Sequence, residues 1–197
     1  MKAKKSRASI DGLNDMPIPS ACTFVNSESN QLVCGFNDSY ISLYDLTKNI
    51  FTSNIKTIKL EKNEKQAFRN SHQPNTLISS YSLPLIYGGF EDNSIKTIDL
   101  RTDSVTNSFY AHSDAVTSLN LFNDIYLFST SHDTKIKLWD IRNLGTPIQE
   151  AFGSQKKWDE AMWHSILLQN QMVLATGNYS FLYYLGGADS AIKLFKL

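Results

Sequence analysis

The chain has 197 residues, 42% of them hydrophobic and 12% aromatic, so it is long and apolar enough to build one domain with a substantial core. Lys+Arg and Asp+Glu both number 19. This balance argues against a dedicated nucleic-acid-binding protein, which would carry a basic excess. No apolar run approaches about 18 residues, and no apolar stretch follows the basic N-terminus. The sequence therefore predicts neither direct membrane insertion nor a secretory signal.

The N-terminal part of the chain divides into a polar segment and the start of a folded region. Residues 1–15 are polar and charged without periodicity, which predicts a disordered basic tail or linker. Cys22 and Cys34 each lie within an apolar, strand-like run. We interpret both as reduced core thiols of a cytosolic or nuclear protein, with a disulfide as the alternative.

From residue 16 onwards, one sequence pattern occurs four times. An apolar strand is followed by small residues, a turn aspartate and an alternating strand, and an aromatic residue or isoleucine stands six positions after the aspartate. The four aspartates are Asp38, Asp92, Asp133 and Asp189. Their spacings are 54, 41 and 56 residues, and the middle one is typical of a four-stranded propeller blade of about 40–45 residues. The longer spacings contain insertions, at 56–70 and at 153–160 together with 170–180.

The third repeat is the most complete. Ala111-His112 precedes its first strand, and Trp139-Asp140 ends its third strand. It resembles the WD-repeat family, in which a histidine, a serine or threonine, the turn aspartate and the tryptophan form a buried chain of hydrogen bonds. By position, the resemblance assigns this structural network to His112, Ser129, Asp133 and Trp139. The other repeats lack the tryptophan, so we expect them to rely on packing; they have Tyr44, Ile98 and Phe195.

The fold implied by this resemblance is all-β, a partial WD-repeat β-propeller with about four blades of an expected seven. The repeats predict blades at about 16–55, 71–110, 111–152 and 161–197. The fourth repeat ends after its third strand, so we expect this blade to lack an outer strand of its own. Seven blades of about 40–45 residues need roughly 300 residues. We therefore expect 16–197 to be the C-terminal part of a larger propeller.

Several segments resemble the striatin family more specifically. They are AHSDAVTSL at 111–119, STSHD at 129–133, KKWDE at 156–160 and GADSAIK at 187–193. The resemblance extends in order over about 16–197, and the Asn-, Ser- and Lys-rich loops are typical of a fungal relative of the factor-arrest type. Striatins are non-catalytic scaffolds. The resemblance therefore implies that the chain is not an enzyme and uses no cofactor.

The same resemblance implies partners and a location. The striatin family gathers protein phosphatase 2A, kinases and a Mob-like protein into one signalling complex, and its fungal relatives act in pheromone-induced cell-cycle arrest. We therefore expect protein partners of this kind, and a cytoplasmic location peripheral to the endoplasmic reticulum or nuclear envelope. The family oligomerises through an N-terminal coiled coil. This chain has no sustained heptad pattern, so we expect the coiled-coil region to be absent from it.

The insertions supply candidate partner-binding residues. The insertions at 56–70 and at 153–160 each lead from the outer strand of one blade to the first strand of the next, so we expect both on one face of the propeller. Trp158 and Phe68 would be apolar anchors among charges such as Lys156 and Lys157, a composition that suits a protein interface. Alternatively, Trp158 covers its own blade.

Residues 139–142 suggest a different function. Trp139, Asp140 and Arg142 resemble the WDxR box of substrate receptors for cullin-4-type ubiquitin ligases, and that is the alternative function. The structural interpretation is that Arg142 pairs with a carboxylate at the blade edge. The histidines are scattered and no HExxH or CxxC motif occurs, so we expect no metal site and no catalytic residue.

Overall fold

The computed structural model describes residues 17–26, 30–49, 54–60 and 72–152, and the strands at 164–168, 171–175, 181–185 and 192–196. These ranges contain sixteen β-strands and no helix, arranged as four sheets of four antiparallel strands. The all-β fold and the partial propeller are confirmed. None of the described ranges therefore holds a helix that could span a membrane. The tail predicted at 1–15 lies outside the described residues.

Each sheet is a simple meander whose strands pair in chain order. The first contains β1 (Pro19–Phe24), β2 (Gln31–Phe36), β3 (Tyr40–Asp45) and β4 (Asn54–Lys59). The second contains β5 (Pro74–Ser79), β6 (Leu85–Phe90), β7 (Ser94–Asp99) and β8 (Ser104–Tyr110). The third contains β9 (Val116–Phe122), β10 (Tyr126–Ser131), β11 (Lys135–Asp140) and β12 (Gln149–Phe152). The fourth contains β13 (His164–Leu168), β14 (Gln171–Ala175), β15 (Phe181–Leu185) and β16 (Ile192–Lys196).

The same tight turn joins the second and third strands of the first three sheets. The residue after each turn aspartate has a positive φ, and its N–H donates to the carbonyl three residues earlier at 3.2–3.3 Å. These residues are Ser39 (70°), Asn93 (69°) and Thr134 (66°). Asp92 and Asp133 stabilise their turns further, because each carboxylate accepts the backbone N–H two residues on.

The hydrophobic cores lie between neighbouring sheets. Val33 and Leu43 of the first sheet pack with Ile86 of the second, and Tyr87 of the second packs with Trp139 of the third. Glycine at the interface permits this close approach. A Cβ at Gly35 would lie 2.2 Å from Cγ of Pro74, and one at Gly89 would lie 2.5 Å from Cγ1 of Val116. Alternating apolar residues thus serve both to build each sheet and to join it to the next.

The outer strand of the first sheet extends beyond the predicted blade boundary. The repeat pattern predicts that this blade ends at about residue 55 and that 56–70 is an insertion, whereas β4 continues to Lys59. The strand continues because Ile58 pairs with Ile41 of β3 and is buried in the core. The insertion therefore begins only after the first sheet is complete.

The prediction that the fourth blade lacks an outer strand is wrong. Its sheet has four strands, and the additional one is β14, which lies in the segment interpreted as an insertion at 170–180. The apolar run in β14 pairs on both sides, with Val173 opposite Ile166 and opposite Tyr184. Asp189, the turn aspartate predicted for this blade, lies outside the described residues.

The two cysteines are less buried than the sequence analysis expects. Both are free thiols; Cys22 in β1 is exposed and Cys34 in β2 is half-buried. The interpretation as core thiols is wrong for Cys22, because the core with the second sheet lies on the opposite face of the strand, where Ala21 packs.

Candidate functional site

Four side chains of the third blade form one chain of hydrogen bonds. The indole N–H of Trp139 donates to Oγ of Ser129 at 2.8 Å. Oγ of Ser129 lies 2.7 Å from Nε2 of His112, and Nδ1 of His112 lies 2.9 Å from Oδ2 of Asp133. A carboxylate can only accept, so Nδ1 carries the proton and Nε2 accepts from the Ser129 hydroxyl. The structure thus joins the four residues to which the WD-repeat resemblance assigns this role.

Strand register and a neighbouring loop bring the four side chains together. Trp139 pairs with Leu127, two residues from Ser129, and a large side chain at this diagonal position can reach across the ladder. The indole also packs edge-on against the ring of Phe109 in β8, with centroids 5.0 Å apart. The backbone N–H of His112 donates to the carbonyl of Asn93 in the second blade. The network therefore links the second blade to the third.

The charge of Asp133 is stabilised within the network. Burial alone would raise the pKa of this carboxyl, but the His112 imidazole and the backbone N–H groups of Ser113 and Lys135 outweigh burial and lower the pKa to about 2. Those two N–H groups lie 3.0 Å and 2.9 Å from the carboxylate oxygens. At neutral pH an ionised acceptor thus faces the imidazole N–H and these two backbone N–H groups.

Three members of the network have the arrangement of a serine-hydrolase triad, which the sequence analysis does not anticipate. Ser129, His112 and Asp133 stand in the order of a nucleophile, its base and an orienting carboxylate. Ser129, however, is 0% exposed, and its oxygen already accepts the indole N–H of Trp139. A substrate carbonyl cannot reach this hydroxyl. The arrangement holds the blade together, because each of these polar groups would cost about 1–3 kcal/mol if buried without a partner.

The second blade contains a buried network of different composition. Nδ1 of His72 and Nζ of Lys96 each lie 3.0 Å from Oδ2 of Asp92, and 3.0 Å from one another. All three side chains are buried. The ammonium also lies 4.3 Å from the ring centroid of Phe90. The expectation that this blade relies on packing is wrong, because the buried Lys96 ammonium contacts both the histidine and the turn aspartate of this blade.

The sequence holds a partial signal for this second network. Asp92 occupies the turn position of Asp133, and His72 precedes its blade as His112 precedes the next. The position of Lys96 gives no such signal, since lysine on an alternating strand is usually exposed.

Arg142 pairs with the aspartate of its own motif. Nε and Nη2 of Arg142 donate to the two carboxylate oxygens of Asp140 at 2.8 Å and 2.6 Å. Arg101 and Asp99 form the same pair in the second blade, at 3.1 Å and 2.8 Å. Hydrogen bonds from the arginines lower the pKa of both carboxyls to about 2. The pair matches the structural interpretation of Arg142, and it forms in the second blade beside Ile98, without tryptophan.

The residues expected to bind partners all belong to the two insertions. Trp158, Phe68, Lys156 and Lys157 lie outside the described residues. Among the residues that are described, no group of three or more histidine, cysteine or acidic side chains could hold a metal ion.

The connection between β5 and β6 exposes apolar side chains. Tyr81 and Leu83 are 51% and 46% exposed there. Asp124 holds this connection in place, because its carboxylate accepts the backbone N–H groups of Tyr81 and Ser82 at 3.0 Å and 2.8 Å. This surface could not be predicted from the sequence, since the exposure of an apolar residue in a short connection has no sequence signature.

Comparison with known proteins agrees with this architecture. Residues 103–140 match the family described as WD domain, G-beta repeat, a range that holds all four members of the hydrogen-bond network. Striatin of Mus musculus is 30% identical over 182 residues, 92% of this chain and 21% of striatin. The striatin homolog of Dictyostelium discoideum is 31% identical over 179 residues, 90% of this chain and 20% of that protein. The WD-repeat match and the striatin relatives together support a striatin-type WD-repeat protein.

This striatin-type chain spans about a fifth of the length of the curated relatives it matches. A solved structure described as "Structure of U3-55K" superposes with a TM-score of 0.69 and 16% sequence identity, covering 92% of this chain and 52% of that one. At this identity the likeness concerns the fold alone, and it agrees with the four-stranded blades.

Proposed function

We propose that this striatin-type scaffold assembles a signalling complex of protein phosphatase 2A and kinases with a Mob-like protein. In a fungal cell the complex acts in pheromone-induced cell-cycle arrest, in the cytoplasm at the surface of the endoplasmic reticulum or nuclear envelope. The observation that carries the proposal is the similarity to striatin, with 30% of the positions identical in an alignment that covers 92% of the chain. The inaccessible Ser129 hydroxyl supports a structural role for the network, as expected of a scaffold.

A scaffold has to hold its binding surfaces in fixed relative positions, and contacts between blades serve this purpose. Ser20 of the first blade donates to the carbonyl of Pro74 in the second at 2.7 Å. Lys56 of β4 pairs with Asp103 in the second blade at 2.5 Å. Asn75 of the second blade donates to the carbonyl of Val116 in the third at 3.1 Å. Polar contacts thus accompany the apolar cores at both interfaces.

Two surfaces are candidates for the partner contacts. One is formed by the insertions, with Trp158 and Phe68 as apolar anchors. The other is the connection held by Asp124, which exposes Tyr81 and Leu83. Aromatic side chains are common among the residues that dominate interface energies. A connection whose backbone is already fixed loses less conformational entropy on binding.

The proposal is tested by partner recovery from cells that express the tagged full-length protein. We expect phosphatase 2A subunits and kinases to be recovered with the wild type. Trp158→Ala or Tyr81→Ala should reduce recovery without changing the melting temperature, depending on which surface is used. Tyr110→Ala is the matched control, because Tyr110 is 64% exposed and lies outside both surfaces. Unchanged recovery with both variants would contradict these surfaces, and absence of phosphatase from the wild type would contradict the proposed function.

The alternative function, a receptor of a cullin-4-type ubiquitin ligase, rests on the exposure of Arg142. Its side chain is 68% exposed although two of its donors bond Asp140. This alternative predicts recovery of a cullin adaptor that Arg142→Ala abolishes and Arg101→Ala leaves unchanged. Arg101 is a close control, because it forms the same pair and is 69% exposed.

A further inference from the structure

The two cysteines are direct neighbours across the first sheet. Cys22 of β1 is the register partner of Cys34 in β2. Residues directly opposite in an antiparallel pair project their side chains from the same face of the sheet. The two thiols therefore stand side by side, although twelve positions separate the residues in the sequence.

The hydrogen-bond pattern identifies which kind of pair they form. The N–H of Val25 donates to the carbonyl of Gln31 at 2.9 Å, in the same register as the strands. Residues 25 and 31 are therefore a hydrogen-bonded pair, and the two kinds of pair alternate along an antiparallel ladder. Counting back from residues 25 and 31, the pair 24 and 32 is non-hydrogen-bonded and the pair 23 and 33 is hydrogen-bonded. The next pair, Cys22 and Cys34, is therefore non-hydrogen-bonded.

This position suits a disulfide. In a non-hydrogen-bonded pair the Cα atoms are about 4.5 Å apart and the side chains are closer than in the other kind of pair. Disulfides join residues whose Cα atoms are usually about 4.4–6.8 Å apart. Cys22 and Cys34 can therefore be bridged by rotation about their side-chain bonds, without moving the strands.

The surroundings give the two thiols different roles. Cys22 is exposed and Cys34 is half-buried. Burial, and secondarily the neighbouring Cys22, raises the pKa of the Cys34 thiol. An oxidant from solution therefore reaches Cys22 first, and Cys34 is placed to attack the oxidised sulfur. On the other side of Cys34 its register partner is Ser42 of β3, whose hydroxyl is bonded to the Thr57 hydroxyl of β4 at 2.9 Å.

We propose that Cys22 and Cys34 are a peroxide-sensitive thiol pair that closes into a cross-strand disulfide. The Cys22 thiolate attacks one oxygen of hydrogen peroxide, the O–O bond breaks, and the leaving hydroxide takes up the thiol proton to form one water. Cys34 then attacks the Cys22 sulfenic sulfur; the S–S bond forms, the S–O bond breaks, and hydroxide leaves with the Cys34 proton as a second water. The two thiols lose two electrons, and the peroxide gains them.

The disulfide would tie β1 to β2 within the first blade. Under reducing conditions the pair stays as two thiols, as expected of an intracellular protein, where disulfides are usually transient. Oxidation would then restrict separation of β1, the strand that contacts the second blade through Ser20 and Pro74.

The test treats the full chain with hydrogen peroxide and follows both cysteines by thiol labelling and intact mass. We expect both thiols to disappear with a mass loss of two hydrogen atoms, and a dithiol reductant to restore them. The matched control is C22S/T23C, which keeps two cysteines but moves one to the opposite face, since successive side chains of a strand alternate. This variant should form no intramolecular disulfide. Cys34→Ser should instead accumulate a Cys22 sulfenic acid that dimedone captures.

Three results would overturn the proposal. They are equal cross-linking of the wild type and the control, formation of intermolecular disulfides alone, and oxidation of the wild type to sulfinic acid without a cross-link. Circular dichroism establishes that the control variant is folded. If it is not, the Cys34→Ser variant decides: no dimedone adduct at Cys22 would contradict the proposed order of attack and the pair with it.

Discussion

At the level of single residues, hydrogen-bond capacity determines which side chains of the blades can be exchanged. The indole N–H of Trp139 donates to the buried Oγ of Ser129. Tyr44 and Ile98, at the corresponding positions of the first two blades, have no indole N–H. This network could be predicted because the third repeat resembles the WD-repeat family, whose network residues match these four positions. The sequence could not predict Lys96, because a strand sequence does not state whether a lysine turns inward to a buried aspartate.

Replacing Trp139 by phenylalanine isolates the contribution of the indole donor. Trp139→Phe keeps an aromatic ring against Phe109 but leaves the Ser129 oxygen without the indole N–H. We expect a loss of about 1–3 kcal/mol in the free energy of unfolding. Tyr44→Phe, at the corresponding position of the first blade, should cost less. Denaturant titrations of the full-length protein measure both, and equal, mild losses would contradict the importance of the network.

Asp133 makes the third blade sensitive to acid. Its pKa of about 2 in the folded state lies below the value of about 3.9 of an unfolded aspartate. Its contribution to stability is therefore complete above about pH 4 and disappears as the pH falls through about 2. In Asp133→Asn the fall in stability between these pH values should be shallower than in the wild type. Asp38→Asn, at an exposed turn, is the control, and a slope as steep in D133N as in this control would contradict the assignment.

At the level of whole elements, the sequence predicts most strands of the blades, but not where β4 ends or that β14 forms. Alternating residues such as Val33 and Leu43 predict strands whose inner face is buried, and the structure places both in the core. The end of β4 and the existence of β14 could not be predicted. Both depend on pairing with a neighbouring strand, by Ile58 with Ile41 and by Val173 with Ile166. Such pairing is a tertiary effect that local propensity does not record.

The turn aspartates of the first and second blades should differ in energetic weight. Asp92 is buried between His72 and Lys96, whereas Asp38 is exposed. Asp92→Asn leaves an ammonium buried without its carboxylate, which costs about 3–5 kcal/mol. Asp38→Asn should cost less than about 1 kcal/mol.

The double variant D92N/K96M checks the cause of this difference. Removing the ammonium together with the carboxylate should recover part of the stability lost in D92N. Denaturant titration of the single and double variants supplies the comparison. A double variant as unstable as the sum of the single ones would show that Lys96 and Asp92 do not act as a pair.

At the level of the whole molecule, adjacent blades are joined by apolar cores, by interface glycines and by polar contacts. Gly35 against Pro74 and Gly89 against Val116 let the inner strands of successive sheets meet closely. The connection between β5 and β6, which exposes Tyr81, is fixed by a hydrogen bond to Asp124 of the third blade. Rigid, aromatic surface suits a protein that works by binding other proteins, and this is the role that its relation to striatins favours.

The measurement that tests this role most directly is quantitative mass spectrometry of the proteins recovered with the tagged full-length protein. A striatin-type scaffold predicts phosphatase 2A subunits, kinases and a Mob-like protein in constant ratio to the tagged protein. Trp139→Phe, if it remains folded, should leave these ratios unchanged because Trp139 is buried. Recovery of a cullin adaptor without the phosphatase, lost in Arg142→Ala, would contradict the account.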